Sequence, residues 1–79
     1  QTAYFSRTFK KAFGIGPARY VIRKKIETAQ RLMIETDGTL AFIAERLSFT
    51  DGFHLSKTFK RVTGMTPREF RQRGRAGVP

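Results

Sequence analysis

The residues best suited to chemistry are lysines, arginines and serines that recur at matching places in two segments of the sequence. A shift of fifty positions aligns residues 4–20 with residues 54–70 without a gap. Six of the seventeen aligned pairs are identical: Ser6 and Ser56, Thr8 and Thr58, Phe9 and Phe59, Lys10 and Lys60, Gly14 and Gly64, and Pro17 and Pro67. Cationic side chains hydrogen-bond to phosphate oxygens and to guanine edges. The repeat therefore predicts one local structure that is built twice and presents cations each time.

The overall charge favours a polyanionic partner. Sixteen Lys and Arg residues face six Asp and Glu residues, which gives a net charge of +10 over 79 residues. A chain this basic is typical of nucleic-acid binding, although a merely well-solvated surface would have the same composition. The sequence has no cysteine, one histidine (His54), no carboxylate pair in an apolar setting and no phosphate-cradling glycine motif. We therefore expect no enzyme activity, no cofactor and no metal site.

Two other classes of function stay open from composition alone. One is a basic RNA-binding or architectural module without sequence preference, and the other is an amphipathic binder of membrane surfaces or partner helices. The interrupted, capped helices and the internal repeat argue against the second class. No apolar run approaches the ~18 residues of a membrane span, and the absence of cysteine fits a reducing compartment. We expect no membrane partner and a cytoplasmic, nucleoid-associated location.

The first copy of the repeat is predicted to be a helix, a stop and the start of a second helix. Phe5, Phe9 and Phe13 recur every four residues, which is the spacing of one apolar helix face. Gly14 follows where a helix commonly ends on a left-handed residue. Pro17 stands where a new helix can begin, because its missing N–H costs nothing there.

The second copy repeats this order, and the start of its last helix carries a further signal. Thr66 and Glu69 form a T-x-x-E capping box, with Pro67 at the first helical position. The last helix is predicted over residues 67–73, followed by a frayed tail at residues 74–79.

A long helix is predicted between the two copies, over residues 17–35. Its apolar residues fall on one stripe and are Ile22, Ile26, Ala29 and Met33. A shorter helix follows over residues 40–47. A turn at residues 48–50 then leads into the second copy, with Thr50 as the N-cap of its helix. No strand pattern appears, so the expected fold class is all-α.

Helical geometry at 100° per residue separates a candidate DNA-facing side of each repeated helix from its apolar side. The N-terminal half of a helix in the major groove contacts bases. The candidates for base contacts are Ala3, Ser6, Arg7, Gly52, Phe53, Ser56 and Lys57. The candidates for phosphate contacts are Thr2, Lys10, Lys11, Lys60, Arg61 and Arg68. Arg7 is the best single candidate because it can donate to both guanine O6 and N7.

Several of these assignments have a structural alternative. Arg7 and the two serines would also serve as ordinary solvated or small helix residues. Phe53 would be either a core residue or a contact for a thymine methyl group, and His54 either structural or phosphate-facing. The C-terminal arginines would contact the DNA backbone or form a solvated basic tail: Arg68, Arg71, Arg73 and Arg75. Six other aromatic residues follow helical spacing and are core candidates: Phe9, Tyr20, Phe42, Phe49, Phe59 and Phe70.

The sequence resembles the DNA-binding domain of the AraC/XylS family of bacterial transcription regulators. The residues that carry the resemblance are 4–11, Gly14, Pro17, Tyr20, Val21, Lys25, Ile26, Ala29, Leu32, Met33, Ile43, Ala44, Phe49, 55–60 and 64–67. The match runs from about Thr2 to Arg71. The resemblance implies a transcription regulator that binds double-stranded DNA sequence-specifically, with two recognition helices in successive major grooves.

The resemblance also implies an organisation for the chain. Two tandem, homeodomain-like helix-turn-helix subdomains would be joined by a long linker helix. Residues 1–16 would hold the recognition helix of a first subdomain truncated at its N-terminus, residues 17–37 the linker helix, residues 38–73 the second helix-turn-helix and residues 74–79 a tail. RNA polymerase is an implied partner, and an effector-binding or dimerisation domain is expected to be absent from this fragment. The apolar face of Phe5, Phe9 and Phe13 would then pack on the linker helix or on another chain.

Two residues depart from the family pattern. Ser48 stands where the pattern has glycine, which costs about 1 kcal/mol if the backbone there needs a positive φ. Lys57 stands where arginine is common, so a flat bidentate donor is replaced by a single ammonium group.

Overall fold

The computed structural model describes residues 2–76, and the side chains of residues 3–74. Its five helices are α1 (Thr2–Phe13), α2 (Pro17–Glu35), α3 (Leu40–Arg46), α4 (Gly52–Thr63) and α5 (Pro67–Ala76). No strand occurs among residues 2–76, so the all-α prediction is confirmed. Gln1 and residues 77–79, the end of the predicted tail, lie outside the described residues.

The glycines that follow α1 and α4 end these helices in the predicted way. Gly14 has a φ of 84° and Gly64 a φ of 83°, both in the left-handed region that disfavours a side chain. The Gly14 N–H donates to the Lys10 carbonyl at 2.7 Å, and the Gly64 N–H donates to the Lys60 carbonyl at 2.8 Å. Each bond satisfies a carbonyl that the end of a helix would otherwise leave unpaired.

The predicted capping box at the start of α5 is present. The Thr66 N–H donates to Glu69 Oε1 at 2.8 Å, and the Glu69 N–H donates to Thr66 Oγ1 at 3.1 Å. The backbone hydrogen bond from Thr66, followed by the one from its hydroxyl, holds the pKa of the Glu69 carboxyl below its ordinary value of 4.5. The folded state therefore favours the ionised form of the Glu69 carboxylate.

The N-cap of α4 is Asp51, so the prediction of Thr50 is wrong by one residue. Asp51 Oδ1 accepts the His54 N–H at 2.8 Å, and Asp51 has the extended backbone of an N-cap residue. Both residue types cap helices, but the carboxylate also interacts favourably with the positive end of the helix dipole. The Thr50 N–H donates instead to His54 Nδ1 at 3.3 Å.

The buried core lies between α2, α3 and α4. Its fully buried hydrophobic side chains are Ile26, Ala29, Met33, Ile43, Ala44, Leu55 and Phe59. The ring of Phe70 from α5 meets Phe59 edge-on, with 5.5 Å between the ring centroids. Half-buried residues at the edge of this core include Phe49, as the helical spacing predicted. Phe42 is wrong as a core prediction because it is 44% exposed: the short helix α3 buries only the face that carries Ile43 and Ala44.

The apolar face of α1 is covered only in part, and the covering residue belongs to α2. Phe9 and Phe13 contact Tyr20, with ring centroids 5.3 and 5.2 Å apart. Phe5 and Phe13 nevertheless keep 55% and 57% of their surface exposed. Packing of this face on the central helix is thus confirmed for Phe9 and Phe13, while α1 supplies no fully buried side chain to the core of the described residues.

The last helix continues past Arg73, so the predicted boundary there is wrong. Gly74 lies inside α5 and is half-buried, and a Cβ at this position would collide with the side chain of Ile34. Glycine here permits a close approach of α5 to α2 and does not stop the helix. This contact depends on the tertiary structure, and local spacing does not reveal it.

Arg71 ties α5 to the C-terminal end of α2. Its Nε donates to the Met33 carbonyl at 3.1 Å, and one terminal nitrogen donates to the carbonyls of Thr36 at 3.0 Å and Gly38 at 2.8 Å. Carbonyls in the last turn of a helix have no partner within the helix, and the guanidinium fork supplies one. For Arg71, the choice between a DNA contact and a solvated tail is therefore replaced by a structural role.

Candidate nucleic-acid interface

The helices α3 and α4 are joined by a tight turn that fixes how α4 is presented. Ser48 has a φ of 63°, so the serine occupies the left-handed region that favours glycine. The Phe49 N–H donates to the Ala44 carbonyl at 2.9 Å, which closes the turn onto α3. Lys25 of α2 places its ammonium 5.5 Å from the centroid of the Phe49 ring. The turn is thus held from both sides.

Gly52 lies at the contact between α3 and α4. A Cβ added at this residue would stand 3.3 Å from the backbone nitrogen of Ala41 and 3.3 Å from Leu40 Cβ. The glycine therefore allows the two helices to approach closely. A base contact by Gly52 could be made only by its backbone, and it stays a prediction.

The outer face of α4 carries an aromatic ring and several cations. Phe53 is 72% exposed, which rules out the core alternative for this residue. The Lys57 ammonium lies 5.4 Å from the centroid of the Phe53 ring, a cation–π contact one helical turn apart. Lys60 and Arg61 are exposed further along the helix, and Ser56 is half-buried. The side of α4 opposite Leu55 and Phe59 is therefore both cationic and accessible.

The outer face of α1 follows the same order. Ala3, Arg7, Lys10 and Lys11 are exposed, and Ser6 is half-buried at the flank, as Ser56 is in α4. Thr2 begins the helix, and its side chain lies outside the described part of the chain. Among the C-terminal arginines, Arg68 and Arg73 are exposed in α5, and the Arg75 side chain is not among those described.

His54 has a structural role at the start of α4. Its Nδ1 accepts the Thr50 N–H, and its ring meets Phe49 edge-on with 5.2 Å between centroids. Within residues 2–76, no group of three or more histidine, aspartate or glutamate side chains is placed to hold a metal ion.

Most cations of the two outer faces have no acidic partner. The ion pairs recorded among the described residues join Lys24 to Glu27 at 3.4 Å and Arg31 to Glu35 at 4.0 Å, both within α2. Neither pair involves a cation of α1 or α4. These side chains are therefore available to an external anion.

Sequence reasoning missed three basic residues of α2. Lys25 supports the turn, and Arg19 and Arg23 line a groove together with Arg61 of α4. The spacing R-x-x-x-R at positions 19 and 23 places two guanidinium groups on one helix face, and this signal was available in the sequence.

No helix of the described residues is long and apolar enough to cross a membrane.

The sequence matches the helix-turn-helix domain family over residues 1–73. The chain belongs to this family, in its AraC/XylS branch. It is a DNA-binding domain of an AraC-type transcription regulator, a class that typically lacks enzymatic activity. One relative is the transcriptional activator RhaS of Escherichia fergusonii, which is 36% identical over 66 residues. These residues are 84% of this chain and 24% of RhaS.

Solved structures of AraC-type domains share the fold. The DNA-binding domain of the global transcriptional factor AdpA, crystallised with a target DNA, superposes with a TM-score of 0.88 at 30% identity, covering 98% of this chain and 69% of the other. An AraC-type regulator from Chromobacterium violaceum gives a TM-score of 0.82 at 29% identity, covering 87% and 62%. The chain spans about a quarter of the length of the curated relatives it matches.

Proposed function

We propose that this chain recognises specific double-stranded DNA sites for a bacterial transcription regulator, with α1 and α4 in successive major grooves. The observation that carries the proposal is the outer face of α4, where Phe53 and Lys57 project together while the opposite face is buried. A helix anchored on one side and cationic on the other is what a helix-turn-helix inserts into a groove.

Both α1 and α4 supply base contacts and phosphate contacts. Base contacts come from Ala3, Ser6 and Arg7 in α1 and from Gly52, Phe53, Ser56 and Lys57 in α4. Phosphate contacts come from Lys10, Lys11, Lys60, Arg61 and Arg68, with Thr2 at the start of α1. Phe53 supplies an apolar contact for a thymine methyl group, and Lys57 donates to guanine.

The dimensions of the chain support engagement of two grooves. At ~1.5 Å per residue, the 19 residues of α2 extend over about 28 Å. The long axis of the whole molecule measures 45 Å. Successive major grooves on one face of B-DNA are ~34 Å apart. The helix α2 therefore acts as the spacer between the two reading helices.

The test is selection of bound duplexes from a random pool, followed by competition between the selected site and random duplex. We expect the selected site to bind on the order of 10³-fold or more tightly, with affinity that falls steeply as salt rises. Equal binding to selected and random duplex would refute sequence-specific recognition. That result would favour a basic architectural or RNA-binding module.

The regulatory setting extends the same proposal. The regulator acts in the cytoplasm, at the nucleoid, and contacts RNA polymerase when its site lies beside a promoter. Transcription from a promoter carrying the selected site, with and without the regulator, tests this extension. An unchanged transcript level at saturating occupancy would contradict it.

A further inference from the structure

A groove lined by arginines runs between the N-terminal half of α2 and the C-terminal half of α4. Its volume is about 540 Å³, and its walls are Arg19, Ile22, Arg23, Arg61 and Val62. The apolar Ile22 and Val62 contribute to its lining, while the three guanidinium groups carry its charge. Among the residues that the structure describes, no carboxylate lines it. We refer to it as the arginine groove.

Helix packing brings these residues together. Arg19 and Arg23 are four positions apart, so their side chains leave the same face of α2 on successive turns. Leu55 and Phe59 bury α4 against the core that includes Ile26. The next turn of α4 places Arg61 in the same groove.

The charges of the arginine groove are not neutralised within the described residues. The recorded ion pairs of α2 use Lys24 and Arg31, and none involves Arg19, Arg23 or Arg61. Like charges four residues apart on a helix repel each other, and a third cation increases the repulsion. An anion bound in the groove relieves this repulsion and gains charge-assisted hydrogen bonds.

We propose that the arginine groove binds backbone phosphates of the DNA duplex, so that α2 contacts DNA in addition to spacing the two reading helices. The inference rests on the proposed function and extends it to Arg19 and Arg23. Arg61, already placed on phosphates through α4, makes the groove continuous with the DNA-facing side of that helix. Guanidinium forks suit phosphate oxygens better than single ammonium groups do. Phosphate contacts carry no base information, so the groove adds affinity and register without sequence preference.

The experiment measures the salt dependence of duplex binding for a double variant, R19Q/R23Q. Each phosphate neutralised contributes about 0.9 to the slope of log K against log salt concentration. The double variant is therefore expected to lose about 1.8 from the slope, with the same ratio of selected to random binding as the unmodified protein. The matched control is K24Q/R31Q, which removes two cations from the same helix outside the groove.

A second measurement locates the contacts on the DNA. Ethylation of phosphates that lie between the two major-groove segments contacted by α1 and α4 should interfere with binding of the unmodified protein. That interference should vanish for R19Q/R23Q and persist for K24Q/R31Q. Thermal melting of both variants checks that these exposed substitutions leave the fold intact.

Three results would overturn the inference. The first is an equal loss of salt slope in R19Q/R23Q and K24Q/R31Q. The second is an ethylation pattern that R19Q/R23Q leaves unaltered. The third is binding of inorganic phosphate in the arginine groove while duplex binding by R19Q/R23Q equals that of the unmodified protein. Failure of the proposed function looks different, because the unmodified protein would then fail to prefer the selected duplex. The two failures are thus distinguishable.

Discussion

Replacing Arg71 with alanine removes three hydrogen bonds that hold α5 on the end of α2. The acceptors are the carbonyls of Met33, Thr36 and Gly38, at distances of 3.1, 3.0 and 2.8 Å. Hydrogen bonds from a charged donor contribute about 1.5–3 kcal/mol each when they are buried. The Thr36 contact is exposed and the other two are partly buried, so about 1 kcal/mol per bond is the appropriate value here.

The expected loss is therefore ~3 kcal/mol, against a total stability of roughly 4–12 kcal/mol for a domain of this size. At about 4–8 °C per kcal/mol, the melting temperature should fall by ~12–24 °C. The assay is thermal unfolding followed by circular dichroism. Arg73, an exposed arginine of the same helix, provides the control variant R73A.

The lysine variant separates geometry from charge. R71K keeps the positive charge but can serve only part of the acceptor set from one nitrogen, so its melting temperature should lie between those of R71A and the unmodified protein. The reasoning would be refuted if R71A melted within about 2 °C of R73A. A loss of duplex affinity at unchanged melting temperature would instead return Arg71 to the DNA contacts.

Four further substitutions test the remaining assignments. R7A should reduce discrimination at one base pair by about 1–3 kcal/mol, and equal losses of affinity for selected and random duplex would contradict the base contact proposed for Arg7. K60A should weaken binding to all duplexes alike and lower the salt slope by about 0.9. S48G should raise stability by about 1 kcal/mol, because glycine relieves the left-handed strain at a φ of 63°, and a lower melting temperature would contradict this account. Glu69 has a pKa below 4.5 in the folded state, so its contribution is complete above pH 4.5 and is lost as the pH falls through that lowered pKa. E69Q should therefore melt below the unmodified protein near neutral pH, and the two melting temperatures should converge as the pH decreases. A difference that is constant with pH would count against a stabilising role of the ionised carboxylate.

Local signals predicted most helix boundaries because the chemistry that ends or starts a helix lies within a few residues. Gly14 and Gly64 adopt the left-handed conformation, and Thr66 and Glu69 form the reciprocal cap that their spacing indicated. The α4 boundary was ambiguous because two adjacent residues can both cap a helix, and the charged Asp51 does so.

Contacts between distant segments could not be predicted in the same way. Arg71 finds its acceptors 33 to 38 residues away, and no spacing rule connects them. Glycine is common at the end of a helix, yet Gly74 lies inside α5, where this helix packs on Ile34. The exposure of Phe42 likewise depends on how the short helix α3 sits on its neighbours.

The candidate interface was predictable where one helix face decides it. The period of α4 alone separates Lys57 and Lys60 from the buried Leu55 and Phe59. The close approach of α3 at Gly52 could not be predicted, because a helical wheel does not show a neighbouring helix. The arginine groove needed the crossing of α2 and α4 before Arg61 could be grouped with residues of another helix.

The two reading helices of this chain are anchored unequally. Phe59 at the centre of α4 is fully buried, whereas its counterpart Phe9 in α1 is only half-buried and contacts the ring of Tyr20 in α2. Backbone amides of α1 should consequently exchange with deuterated solvent before those of α4, because opening α1 uncovers little apolar surface. If α1 and α4 enter two major grooves as proposed, α1 loses more conformational entropy on binding, so we expect α1 to engage its DNA groove after α4 and to leave it more readily.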